Sequence, residues 1–161
     1  MDVSNMKSCF FIGHREASGE LLPVLRQTVE KHICEYGVTE FTVGGYGGFD
    51  HLAARALISL KQQYPQIILS LLIPYHPAER PIETPPGFDN TYYPPGMEKV
   101  PHKLAIVRAN QSMVEHVDYL IAYAWHPASN ARDLVEYAEK RQTKTNLHIC
   151  NLCDVALQQP V

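Results

Sequence analysis

The residues able to do chemistry in this chain gather where its apolar runs stop. In Val43-Gly44-Gly45-Tyr46-Gly47-Gly48-Phe49-Asp50, four glycines (Gly44, Gly45, Gly47 and Gly48) fall within five positions. The β-branched run Phe41-Thr42-Val43 precedes them and the helix-forming Leu52-Ala53-Ala54-Arg55-Ala56-Leu57-Ile58 follows. Glycine lets another group approach the backbone closely, and the free N–H groups of a helix start attract anions. Two readings stay open: a cradle for a phosphate or other anion, or a tight strand-to-helix turn with Asp50 as N-cap.

Other chain stretches offer partners for such a ligand. Gly13-His14-Arg15 ends the apolar run Cys9-Phe10-Phe11-Ile12. Arg15 either grips a phosphate in a bidentate manner or is solvated. Asn110 shares a helical stripe with Ile106, Met113 and Val117, so its amide must bond either the neighbouring backbone or a ligand. Arg108 lies off that stripe and faces solvent unless its helix begins at the site. Trp125-His126-Pro127-Ala128-Ser129-Asn130-Ala131 precedes the last helical pattern. There Asn130 and Asp133 read as a capping pair, or Ser129 and Asn130 as a second anion- or ribose-binding turn. Glu136 is either partly buried beside Leu134, Val135 and Ala138 or solvated. His14, His51, His76 and His126 follow the first four strands without a tight ligand spacing, so neither a metal nor a cofactor is expected.

Periodicity supplies the elements that position these groups. Leu22, Leu25, Val29, Ile33 and Tyr36 mark a helix from about residue 20, with Pro23 in its first turn and Gly37 as its stop. A strand at 39–44 runs through the glycines into a helix closed by Pro65, and Ile67–Ile73 is a third strand. A helix at 103–116, the strand Tyr119–Tyr123, a helix at 131–141 and the strand Leu147–Cys150 complete the pattern. Alternation of this kind predicts a single α/β domain over 1–161: a Rossmann-like open parallel sheet of about five strands with helices on both faces. Its ligand should sit beyond the carboxyl ends of the strands, where strand order reverses. Residues 74–101 hold most of the twelve prolines, interleaved with tyrosines, and predict an inserted lid or an oligomer contact.

Composition narrows the function classes. A formal charge of -3 offers no basic field, so nucleic acid is not the expected partner. No apolar run approaches the ~20 residues of a membrane span, and the first residues do not read as a signal peptide. A cytoplasmic location is expected. Four cysteines are too few for a disulfide scaffold, and Cys150-Asn151-Leu152-Cys153 stands without a second pair. Gly13 and Gly19 lack the Lys-Ser/Thr of a P-loop, and no Ser-His-Asp or Cys-His set assembles.

Phe11-Ile12-Gly13-His14-Arg15 and Val43-Gly44-Gly45-Tyr46-Gly47-Gly48-Phe49-Asp50-His51-Leu52-Ala53-Ala54 together resemble the paired motifs of the SLOG superfamily, which includes DprA and the LOG phosphoribohydrolases. Arg108-Ala109-Asn110-Gln111-Ser112-Met113-Val114, Val117-Asp118-Tyr119-Leu120-Ile121 and Glu136-Tyr137-Ala138 are similar to its small YpsA-like branch. The resemblance implies a Rossmann-like domain that binds or senses a phosphorylated nucleotide derivative; a homo-oligomer is expected from the aromatics of 74–101, not from the resemblance. Gly13, His14, Arg15, Gly44, Gly45, Gly47, Gly48, Asp50, Asn110, Trp125, Ser129 and Asn130 would surround that ligand. An alternative is nucleoside 5′-monophosphate N-glycosidase activity, with Glu136 and Arg108 as catalytic residues. LOG enzymes use a Pro-Gly-Gly-x-Gly-Thr turn, replaced here by Pro127-Ala128-Ser129-Asn130-Ala131, and Ala109 stands where their arginine aligns. Binding is therefore expected ahead of hydrolysis, and DprA-like attachment to single-stranded DNA is a third reading.

Overall fold

The first strand, β1 (Lys7–Gly13), shows why the chain needs helices on two sides. Its Phe10 side chain enters one apolar cluster while Cys9 and Phe11 enter another, the period-two alternation of a strand covered on both faces. The computed structural model describes residues 6–154. Within them, α1 (Leu22–Cys34) and α2 (Gly48–Gln63) cover the Cys9/Phe11 face. The helices α3 (Ala105–His116) and α4 (Asn130–Gln142) cover the Phe10 face. A short 3₁₀ turn (Gly19–Leu21) leads into α1 and puts Pro23 in the first helical turn, where its missing N–H costs nothing.

The remaining strands are β2 (Val38–Val43), β3 (Ile68–Leu72), β4 (Asn90–Tyr92), β5 (Tyr119–Tyr123) and β6 (His148–Asn151). All pair in parallel, in the order β4-β3-β2-β1-β5-β6. The expected parallel α/β sheet is present, with six strands rather than five. The additional strand is β4, inside the proline-rich segment read as a loop. Three residues flanked by prolines carry no strand signature of their own. Their place is fixed from outside, by Asp89: its Oδ2 accepts from Leu69 N (2.8 Å) and from Lys61 Nζ (2.7 Å), and its own N–H donates to Leu69 O (2.8 Å). Further along the same segment, the Arg80 guanidinium lies 4.1 Å over the Tyr75 ring, which stacks on His102.

The strand order has one reversal. From β1 the chain steps outward through β2, β3 and β4, then returns to the other side of β1 with β5 and β6. The connections leaving β1 and β5 therefore diverge, and a crevice opens between their carboxyl ends.

Candidate functional site

The glycine turn before α2 is filled by the chain itself. The amide of Gly48 donates to Arg15 O (2.7 Å), that of Phe49 to His14 O (3.3 Å) and that of Tyr46 to Asp50 Oδ2 (3.1 Å). Gly47 has φ +125°, and a Cβ there would stand 2.9 Å from Arg15 Cα. On Gly48 a Cβ would stand 2.6 Å from Arg15 O. These two glycines admit the β1–α1 loop, and its carbonyl oxygens occupy the amides expected to hold a phosphate. Gly47 takes the cap position, while Asp50 sits in the first turn and reaches back over the loop. The cradle expected at Gly47 and Gly48 is thus closed by protein, and with Gly45 they stand outside the cavity described next.

A cavity of about 600 Å³ lies at the switch point. The β1–α1 loop brings Gly13, His14 and Arg15 to its wall; the β2–α2 turn and α2 bring Gly44 and Asp50. From α3 comes Asn110, and from the β5–α4 turn Trp125, Ser129 and Asn130. Nine of the expected ligand-binding residues thus meet around one space.

The helix end that opens into this space belongs to α4. Ser129, not Asn130, is its N-cap: the Ser129 Oγ accepts from Arg132 N (3.1 Å) and donates to His126 O (2.8 Å). The amides of Asn130 and Ala131 have no acceptor among the described residues, and both residues line the cavity. Orphan amides and the positive end of the helix dipole therefore meet there. Arg15 is exposed and has no ion pair among the described residues; its guanidinium is the permanent cation of the wall, against Glu16, Asp50 and Asp133. The half-buried Asn110 amide likewise has no protein partner among the described residues.

Asp50 and His14 in the wall are displaced from their usual ranges, and burial also raises the Tyr46 and Tyr137 hydroxyls. Burial pushes the Asp50 carboxyl up to about 6, against the pull of the Tyr46 amide. Gly44 makes room for it, since a Cβ there would lie 2.8 Å from Asp50 Oδ2. Burial also lowers His14, and the nearby charge of His126 acts in the same direction. The His14 Nε2 accepts from Trp125 N (2.9 Å) and His126 N (3.3 Å), and its ring stands edge-on to Tyr123 and Trp125.

The two residues expected to carry hydrolysis are elsewhere. Arg108 forms a two-pronged pair with Glu115 (3.0 and 3.1 Å), whose Oε1 also accepts from the Tyr137 hydroxyl (2.7 Å). Glu136 is on the exposed side of α4, paired with Arg132 at 3.5 Å. Neither lines the cavity. Conversely, Pro74 and Tyr137 do line it. Sequence gave no reason to mark them, because a proline after a strand reads as a stop and Tyr137 falls on a stripe that reads as core. Among the described residues no group of three or more histidine, cysteine or acidic side chains is placed to hold a metal.

No protein-family model matches the chain, and no curated protein matches it. Among solved structures it is similar to DNA processing protein A from Helicobacter pylori, described for its single-stranded DNA binding mode. The TM-score is 0.58 at 16% sequence identity, covering 92% of this chain and 68% of that one. It is also similar to the Moco carrier protein of Chlamydomonas rheinhardtii, with a TM-score of 0.47 at 13% identity over 89% of this chain and 75% of that one. The first likeness, at that identity, is one of fold: a Rossmann-like α/β sheet.

Proposed function

We propose that this chain binds a phosphorylated nucleotide derivative in the switch-point cavity, with the phosphate at the start of α4 beside Arg15. The observation that carries the reading is that the Asn130 and Ala131 amides, the Arg15 guanidinium and the Asn110 amide all meet at one cavity with no partner among the described residues. The volume, about 600 Å³, suits a nucleotide-sized guest. One permanent cation facing three carboxylates favours a monoester over a polyphosphate. Trp125, 59% exposed, offers a face on which a base stacks, and Asn110 and Ser129 offer hydrogen bonds to a sugar.

Native mass spectrometry of the purified protein, followed by calorimetry with a panel of nucleoside monophosphates, tests this. Binding of at least one member is expected, weakened tenfold or more by Arg15→Ala. Silence across the panel would overturn the reading.

Hydrolysis by Glu136 and Arg108 has no support in their placement, and no free base is expected from any monophosphate. Single-stranded DNA, the partner named for the Helicobacter pylori protein, would bring a polyanion to a wall rich in carboxylates. A salt-sensitive gel shift would favour it nonetheless. The exposed Tyr92 on the edge strand β4 supports homo-oligomerisation through segment 74–101, which light scattering tests.

A further inference from the structure

We infer that His14 is the positioning residue of this site: the Nε2 lone pair of its neutral ring holds the β5–α4 turn in place, and protonation of the ring releases that turn. The inference deepens the binding reading above, since the turn leads to the orphan amides of α4.

The argument begins with donors. A backbone N–H only donates, so the two amides converging on Nε2, from Trp125 and His126, require an unprotonated nitrogen there. The ring proton must then reside on Nδ1, and the ring is uncharged. A third bond, His14 N to Tyr123 O (3.3 Å), fixes the backbone from which the ring projects. One side chain at the end of β1 thus fastens the chain just beyond β5 across the reversal in strand order. The next links are local: Ala128 N donates to His126 Nδ1 (3.1 Å), and the Ser129 cap donates to His126 O (2.8 Å). The hold on residues 125 and 126 is therefore transmitted to the helix start.

Adding a proton to Nε2 replaces an acceptor by a donor, so both amide bonds are lost together. The titratable and charged groups that line the cavity with His14 are Tyr46 from the β2–α2 turn, Asp50 from α2, His126 from the β5–α4 turn, Asp133 and Tyr137 from α4, and its neighbours Arg15 and Glu16, while the Tyr123 ring stands against it from β5. Burial and the charge of His126 both favour the neutral ring, which places the release below the usual histidine range.

Trp125 is the single tryptophan of the chain and stands 5.2 Å from the His14 ring, so its fluorescence reads the site. Imidazolium quenches indole emission. On lowering the pH from 8 to 5, quenching is expected together with an at least tenfold drop in the protection factors of the Trp125 and His126 amides, each rate being taken relative to the intrinsic exchange rate at that pH. A glutamine at 14 supplies an uncharged acceptor at similar reach. His14→Gln should therefore keep both amides protected and abolish the exchange transition, whereas His126→Gln, which removes the other imidazole beside Trp125 (5.5 Å), should retain both transitions. His14→Leu should show low protection of both amides at every pH.

Persistence of the exchange transition in His14→Gln, or protection of both amides in a folded His14→Leu, would overturn the inference. If His14→Leu fails to fold, imidazole nitrogen shifts of the wild-type protein decide, since a proton on Nε2 at pH 8 is incompatible with the proposal. Affinity for sulfate, whose charge is constant over this range, should fall at least threefold with the exchange transition. Absent sulfate binding with intact transitions would count against the function proposed for the cavity and leave the role of His14 standing.

Discussion

At the level of single residues, Asp50 is the group whose ionisation opposes folding. Its carboxyl titrates near 6 in the fold against a usual value of 3.8, so the folded state holds the proton more tightly than the unfolded chain. Stability from this group is complete below the unfolded value and is lost as pH rises through about 6. Asp50→Asn keeps an oxygen for the Tyr46 amide and removes the buried charge. At pH 7 it should stabilise the protein by about 2 kcal/mol, with the gain vanishing near pH 4, as denaturant unfolding at the two pH values would show. A half-buried carboxylate kept at that cost in a cavity wall fits a group reserved for a ligand donor. The neighbouring glycines separate by the same kind of reasoning. Gly47→Ala meets both a positive φ and the Arg15 backbone, and should cost about 2 kcal/mol or more. Gly45→Ala meets only Leu71 Cδ1 at 3.6 Å. It should shift stability by less than ~0.5 kcal/mol, and a thermal melt of the two variants distinguishes a turn built for close packing from one built for a guest.

Among the elements, α4 rather than α2 presents an open helix start to the cavity. Both helices begin after a strand, and both starts contain small or capping residues, so local pattern ranks the glycine-rich one higher. The difference arises from contacts distant in sequence: the carbonyls of His14 and Arg15 reach across to Gly48 and Phe49, and no periodicity announces that. The elements with full amphipathic or apolar runs were legible, with Tyr119–Tyr123 placed to the residue. By contrast β4 was not, because Asp89 rather than its own side chains fixes it. Ser129→Ala should remove the cap of α4 at a cost of about 1 kcal/mol and weaken anion binding at the same time. Arg108→Ala offers the complementary case, since it loosens the Glu115–Tyr137 brace between α3 and α4. Glu115 is held below the usual carboxylate range mainly by Arg108, so the brace contributes above pH ~4.5 and is lost as pH falls. Calorimetry on Arg108→Ala should show a lower melting temperature with ligand affinity unchanged, an outcome no phosphate-gripping role for that arginine allows.

For the molecule as a whole, the cavity draws on both sides of the strand-order reversal: the β2–α2 turn on one, the β5–α4 turn on the other, with the end of β1 between them. A guest that contacts both sides binds the folded sheet and has no site on the unfolded chain. Its binding energy must then appear as stability, in the amount RT ln(1 + [L]/Kd). At a hundredfold excess over Kd this is about 2.7 kcal/mol, and for a chain of 161 residues it corresponds to a rise in melting temperature of about 5–10 °C. A nucleoside monophosphate that fits should give this shift, and inorganic phosphate, which engages only the α4 end and Arg15, a smaller one. In Arg15→Ala the shift should shrink at equal ligand concentration, while in Arg108→Ala it should be kept in full. Equal shifts from phosphate and nucleotide would mean that only the anion is recognised, and that the rest of the cavity has no part in choosing the ligand.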